Sequence, residues 1–471
     1  MSPQQRRGPY SLKLAGHAER SVHEMKKHPR VKRWLIRVGI FVGLIFLLTL
    51  VAALTQSVIA TRKLKAVSTR LERDAIPLSW HELYAQFPDV DAHRAAQSTF
   101  FAALDGLTNL PSLSDEQRET LPVEGLAELP EIGSNVPPQI ISSLDARLRD
   151  AAPALEALRG AVANDPFWLI PPTNAFNVPT LSRLATVRQA ARLFNMSAIL
   201  HSERGEPLPA TQAVLDGIRL AQAPHRGSLL IDELVRFACE GLAIRSLEYA
   251  LAKTAPPLDR LRELQSEMSE HADMRTGILG EIVYTKQIYA GMSALSRSDM
   301  ETMIELSDSE PWQYVIAYLP VSSGWLRMNE AYHLELLHHV AQTWHLPWQS
   351  FTNRYAEASD SIPWPYFLPN LSKDVYSSVK NRELRAAGAW RCGRIAIAIE
   401  RYSQEHGQLP DSLTNLTPEY LEHLPTEPFH GGPFEYSKEG NTGTLRFTYP
   451  DSDLDFTFKV FAETESTEPE N

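Results

Sequence analysis

A chain of 471 residues, 43% hydrophobic and 22% charged, is long enough for about three domains and for a core that needs no disulfide staples. Its net charge of −11 is uneven: Met1–Arg37 holds ten basic residues against Glu19 and Glu24, net +8, which leaves −19 on the remainder. That excludes a uniformly basic nucleic-acid binder, and a count of two cysteines excludes a disulfide-rich scaffold and a cysteine-based zinc module.

Residues 1–37 read as a basic, solvated tail, interrupted by Pro3, Gly8, Pro9, Gly16 and Pro29. The stretch Lys26–Arg37 suits an anionic lipid surface. Tyr10 is its one aromatic before Trp34, too little stacking surface for a nucleic-acid partner, and none is expected. Val38–Thr61 then runs 24 residues without a charge, enough to cross a hydrocarbon layer of roughly 30 Å. A cleavable signal peptide has an apolar region of roughly 7–15 residues behind a short basic start. Here both the start and the run are longer, so residues 38–60 are expected to be an uncleaved, single transmembrane helix and the lipid bilayer a partner. Residues 18–37 carry seven basic side chains and residues 61–80 five, a bias that puts the N-terminus in the cytoplasm and the rest outside.

Residues 61–383 read as a helical extracytoplasmic domain with proline-rich loops. Leu64, Val67, Leu71 and Ala75 continue a helical stripe as a short stalk, and Pro77 closes it. Residues 106–140, with Pro111, Pro122, Pro130, Pro137 and Pro138, predict a surface loop. Val187, Ala190, Ala191, Phe194 and Ala198 fall at i, i+3, i+4, i+7 and i+11; Ile231, Leu234, Val235, Ala238 and Leu242 repeat the offsets. Each set predicts an amphipathic helix with that face buried. Arg204-Gly205-Glu206-Pro207 is a turn, with Gly as a C-cap and Pro opening a helix over 210–221. The pair resembles one tetratricopeptide unit, but no 34-residue period recurs to make an array. Further helices are expected over 259–274, 278–292 and 326–344. Residues 311–325 and 347–371 are rich in Pro and aromatics, among them Trp312, Trp325, Trp348, Phe351, Trp364 and Phe367. They predict loops whose rings fill gaps in the helical domain, with an aromatic-lined ligand groove as the alternative.

The best metal-like cluster is Glu330, His333, Glu335, His338, His339 and His345. Glu330-x-x-His333 and Glu335-x-x-His338 each have the spacing of a di-iron ligand pair, but such pairs must converge from separate helices. Five residues apart on one helix, they sit about 140° apart around the axis. Partly buried histidines are the expected outcome, and no metal, cofactor or catalytic residue is nominated. His-Glu-x-x-His, Gly-x-Ser-x-Gly and phosphate-binding Gly loops do not occur. Cys239 and Cys392 each lie on an apolar helix face and read as small core residues, with a disulfide left open. Asp451, Asp453 and Asp455 alternate along a strand; a solvated edge is expected, with calcium as the alternative.

Residues 384–461 predict a helix over 385–405 ended by Gly407, then a Pro- and Gly-rich loop and three strands, 434–437, 444–449 and 455–461, the first two joined by a hairpin loop. Residues 462–471 are an acidic tail. Tyr402, Gly407, Leu409, Pro410, Leu413, Leu416, Tyr420, Leu421, Pro425, Pro428, Phe429, Gly431, Pro433 and Tyr436 stand in an order that resembles the globular part of type II secretion major pseudopilins, over about 55 residues. Glu427 stands where those proteins usually have Asp. The resemblance implies a helix packed on a small sheet, with Phe429 buried against Ile395 and Ile399 and Tyr436 largely buried. It does not extend to polymerisation, because the apolar helix lies over 300 residues upstream and carries no Glu. The combination also resembles a class of uncharacterised membrane-anchored proteins of planctomycete-type bacteria.

The sequence therefore predicts a mainly α protein: a single transmembrane helix, a helical ectodomain and a small α+β pseudopilin-like C-terminal module with its own core. The expected function is non-enzymatic: docking or scaffolding with protein partners of the bacterial envelope, linked to secretion or pilus-like machinery, from the inner membrane. The alternative is an enzyme with its site near Glu330–His345.

Overall fold

The computed structural model describes residues 29–86, 89–128, 131–163, 167–168, 180–226, 229–268, 274–294, 324–364, 366, 368–369, 373–450 and 455–461. The described chain is mainly helical, with a small three-stranded sheet. It divides into two compact units, residues 1–65 with 297–328, and residues 66–296 with 329–471.

The smaller unit holds most of helix α1 (Pro29–Arg73), which is among the described residues the one helix long and apolar enough to cross a membrane. From Trp34 to Ile59 it presents large apolar side chains outward, Phe46 at 69% exposure and Ile40 at 66%. The hydroxyls of Thr49 and Thr55 donate to the carbonyls of Phe46 and Val51, so the run leaves neither of them unpaired. Gly324, at φ +79°, lies so close to Ser57 that a Cβ would sit 2.5 Å from the Ser57 Cα, and Arg327 donates to the Thr61 hydroxyl at 3.3 Å. Residues 1–28, most of the basic tail, lie outside the described residues.

The larger unit opens on the last turns of α1. The expected span 38–60 and the stalk after it are thus one helix. Val67 and Leu71 are buried as the stripe required, but Ala75 is not part of it. At φ +56° it ends the helix: its N–H reaches the Glu72 carbonyl and Ile76 N–H reaches Leu71. Those two bonds, closed over buried Leu71 and Ile76, make a Schellman cap.

Helices α2 (Trp80–Tyr84), α3 (Val90–Thr108), α4 (Asp115–Thr120), α5 (Pro138–Val162), α6 (Thr180–Glu203), α7 (Pro207–Gln222), α8 (Leu230–Lys253), α9 (Leu258–Glu267) and α10 (Arg275–Ala294) follow. Two short strands, β1 (Phe167–Trp168) and β2 (Pro224–Arg226), pair in parallel. The segment 106–140 is not all loop. It contains α4, started by a capping box in which Ser114 and Gln117 satisfy each other's backbone N–H groups. The predicted faces of α6 and α8 fare differently. Val187, Ala190, Ala191, Phe194 and Ala198 are all buried, whereas Ile231 and Ala238 are exposed and Leu234 and Leu242 only half-buried.

Helices α11 (Trp325–Thr343), α12 (Trp348–Asp360) and α13 (Lys373–His406) follow. Segment 347–371, expected as loop, contains α12: Pro347 caps it, and Trp348, Phe351 and Tyr355 bury one face at i, i+3 and i+7. Trp364 beyond it is exposed. Residues 311–323, Pro365 and Phe367 lie outside the described residues.

The C-terminal strands are β3 (Glu435–Glu439), β4 (Thr442–Thr448) and β5 (Asp455–Phe461), an antiparallel meander in order β3-β4-β5. Glu439 pairs directly with Thr442, so the hairpin loop is tighter than expected, a two-residue turn with Gly440 at φ +58°. Leu445, Phe447, Phe458 and Val460 face inward. A sheet this small cannot close a core alone. It packs on α13, where Cys392 and Ile395–Ile399 are all fully buried, and on α8. The Phe447 ring lies on Gly388, where a Cβ would fall 2.3 Å from its Cζ. The buried Glu248 of α8 accepts the Lys459 N–H of β5 at 3.0 Å. One continuous cluster joins α7, α8, α9, α13 and the sheet, so the expected separate core for residues 386–461 does not exist. A second cluster joins α3, α5 and α6 to the other sides of α7 and α8.

Candidate functional site

Helix α11 carries the histidine-rich stretch that the sequence singled out, and its side chains part company. The His333 Nδ1 lies 3.5 Å from the Tyr289 hydroxyl of α10, and its Nε2 is buried without a hydrogen bond. Burial pulls its pKa down to about 4. Glu335 and His338 turn instead to the end of α1. Arg70 Nη1 meets Glu335 Oε1 at 3.3 Å, and His338 Nε2 meets Asp74 Oδ2 at 3.0 Å. The two Glu-x-x-His pairs therefore diverge between α10 and α1. Among the described residues, no three His, Cys, Asp or Glu side chains gather as metal ligands.

His338 does enter a cavity of about 580 Å³ with His345, Asp74, Lys380, Glu383 and Arg391 in its wall. The cavity is polar because distant elements meet there, the end of α1, the C-terminal part of α11 and the first half of α13. His338 Nε2 is shared between Asp74 and the Gln342 amide, both at 3.0 Å. Burial lowers the His338 pKa, against the pull of Asp74. Arg73 and His338 hold the Asp74 carboxyl below its usual range, Arg73 first. Lys380 pairs with Glu383 at 2.9 Å, both buried, and its ammonium lies 5.1 Å from the Trp344 ring. Chemically the cavity offers an imidazole, kept neutral by burial, next to a carboxylate. That arrangement can move a proton only if its present partners are displaced. The sequence reading reached His338 and His345 but missed Asp74, Lys380, Glu383 and Arg391. They lie from 35 to over 250 residues away, and local spacing carries no signal for them.

The cysteines are free and buried. Burial pushes the Cys239 thiol up to about 12 and the Cys392 thiol higher still, so neither is poised as a thiolate. Asp455 opens β5 with Arg446 4.0 Å away; Asp451 and Asp453 lie outside the described residues. The Pro- and Gly-rich loop between α13 and β3 is organised by Glu427, which accepts the N–H groups of Phe429 at 2.8 Å, of His430 and of Gly432. Arg391 of α13 ties it down by donating to the Thr426 carbonyl at 2.8 Å. Phe429 is buried among Trp348, Phe447 and Tyr449, and Tyr436 is half-buried with its hydroxyl on the Pro410 carbonyl. Among known proteins, no family model, no curated sequence and no solved structure matches this chain.

Proposed function

We propose that this chain is a single-pass protein of the inner membrane whose extracytoplasmic part docks onto other envelope proteins without chemistry of its own. The observation that carries the reading is the stretch of α1 from Trp34 to Ile59, which exposes apolar side chains over more than six turns and bears no charge from Val38 to Thr61. Water opposes such a surface; lipid favours it. The excess of basic residues before Val38 supports a cytoplasmic N-terminus. The helix, Glu427-centred loop and meander after Lys373 support a pseudopilin-like module, and with it a partner among secretion or pilus-like components, by fold-level analogy.

The test is membrane retention and side. The full chain should resist carbonate extraction, and Leu47→Lys with Leu48→Lys should release it. Alkaline phosphatase fused after Asn471 should be active and a green fluorescent protein dark. A soluble wild-type chain overturns the tether, and the opposite reporter pattern overturns the orientation.

The enzyme reading is favoured by one observation, that His338, His345, Asp74 and Glu383 border a single cavity. Turnover of a panel of ester, phosphoester and glycoside substrates, abolished by His338→Asn with the fold intact, would replace the docking reading.

A further inference from the structure

The mispredicted face of α8 has a use. Leu234, Phe237, Ala238 and Gly241 lie at i, i+3, i+4 and i+7 and form one wall of an open groove of about 740 Å³. On the facing wall Ser378, Asn381, Arg382 and Arg385 of α13 repeat the same offsets. Trp348 of α12, Tyr449 just after β4 and Phe456 of β5 also line it, and Gly241, Ala386 and Ala389 contribute only small side chains. The volume is that of a small-molecule site.

Charge sets the ligand class. The chain beyond Arg37 carries −19, yet among the described residues no Asp or Glu lines this groove. Most arginines of the larger unit are paired: Arg147 with Glu124, Arg159 with Asp216, Arg219 with Glu267, Arg236 with Glu233 and Glu240. Among the described residues, Arg382 and Arg385 have no carboxylate partner within ion-pair distance. The Arg385 guanidinium lies 4.0 Å from the centre of the Tyr449 ring, and its Nε is shut off from solvent without a hydrogen bond. A stacked guanidinium is held in place before a ligand arrives. Three residues apart on one helix, the two cations are neighbours and can fork a single oxyanion. Phe237, Trp348 and Phe456 offer the apolar surface on which the rest of that ligand would rest.

We propose that this groove binds a small organic anion, an oxyanion carried on an aromatic or aliphatic body, with Arg382 and Arg385 holding the charge. The site is independent of the tether and of the polar cavity around His338.

Isothermal titration tests it on the full chain in nanodiscs of uncharged lipid, with empty nanodiscs as blank. The probes are phenylphosphate, 3-phenylpropanoate and the neutral 3-phenylpropanol. One-to-one binding of at least one anion is expected, tenfold or more tighter than the alcohol; which anion binds assigns phosphate or carboxylate. Arg385→Gln and Arg382→Gln should each weaken it at least tenfold. Ala238→Glu, which brings a carboxylate into the groove from an exposed position of α8, should abolish it while the thermal melt stays in place. Equal binding of the alcohol, wild-type affinity in both arginine variants, or no anion bound at millimolar concentration would overturn the proposal.

Discussion

Helices α6 and α8 carry apolar residues at identical offsets, and only one of them buries that face. On α6 the set from Val187 to Ala198 is wholly inside. On α8 the set from Ile231 to Leu242 leaves Ile231 and Ala238 in solvent, and the helix instead buries Asp232, Glu233, Arg236, Glu240 and Glu248. Those charges are tolerable because they find partners indoors. Arg236 bridges Glu233 at 2.8 Å and Glu240 one turn later, Asp232 accepts the Leu229 N–H at the helix start, and Glu248 accepts from β5. Periodicity locates a helix; which face goes inside depends on what surrounds it. α8 stands between both core clusters, giving Val235, Cys239 and Tyr249 to one and Ala243, Ile244 and Leu247 to the other.

The sharpest way to break the comparison is Arg236→Ala. Removing the cation between two buried carboxylates should cost about 3–5 kcal/mol in urea unfolding. Phe194→Ala on α6 should cost about as much, by leaving a cavity. The difference lies in rescue. Replacing Glu233, Arg236 and Glu240 together by Leu, Met and Leu should restore or exceed wild-type stability, while nothing short of refilling its volume rescues Phe194. A triple variant no better than Arg236→Ala would mean that the network does more than balance its own charges.

Phe429→Ala comes next, at about 3–5 kcal/mol for a buried ring. Because Phe429, α8 and α13 share one cluster, hydrogen exchange should accelerate in Ala243–Leu251 and Cys392–Ile399 as well as in the sheet. Loosening confined to residues 426–461 would restore the idea of a separate module.

Much of this fold was legible because single residues settle local geometry. Missing charge marks α1, Gly205-Glu206-Pro207 separates α6 from α7, and Gly407 and Gly440 close α13 and the hairpin. What escaped the sequence depends on partners far along the chain. Pro347 and Pro363 made the aromatic run look like loop until Trp348, Phe351 and Tyr355 found Phe429, Trp344 and Tyr376. Neither the cavity around His338 nor the groove beside α8 could be read, since each wall comes from a different helix. The offsets of Ser378, Asn381, Arg382 and Arg385 were the available signal for the groove.

A smaller effect separates α8 from α11. α8 gives its buried Arg236, Glu233, Glu240 and Glu248 partners, whereas burial lowers the pKa values of His333, His338 and His339 on α11. A folded-state pKa below the ordinary value of His means that the unfolded chain binds the proton first. Stability is then complete above about pH 6.5 and falls as the pH drops toward 4. The His333 share is up to about 3 kcal/mol. Urea midpoints between pH 7.5 and 4.5 should show the loss, and His333→Phe should flatten it. An unchanged slope in His333→Phe would assign the acid sensitivity to other groups.

The smallest effect expected is the most direct test of which face is inside. Ala191 and Ala238 are alanines of the two sets, at i+4 of one and i+7 of the other, the first 3% exposed and the second in solvent beside the groove. Leucine at position 191 must push into close-packed neighbours on α6, and Ala191→Leu should cost about 1–3 kcal/mol. Ala238→Leu should shift stability by no more than about 0.5 kcal/mol in either direction, as an exposed helical position allows. The same side chain would project into the groove and take up part of its 740 Å³. Anion binding should therefore fall while the unfolding curve stays where it was. Equal destabilisation at the two positions would mean that both helices bury the face their sequences advertise, and that the groove is closed in solution.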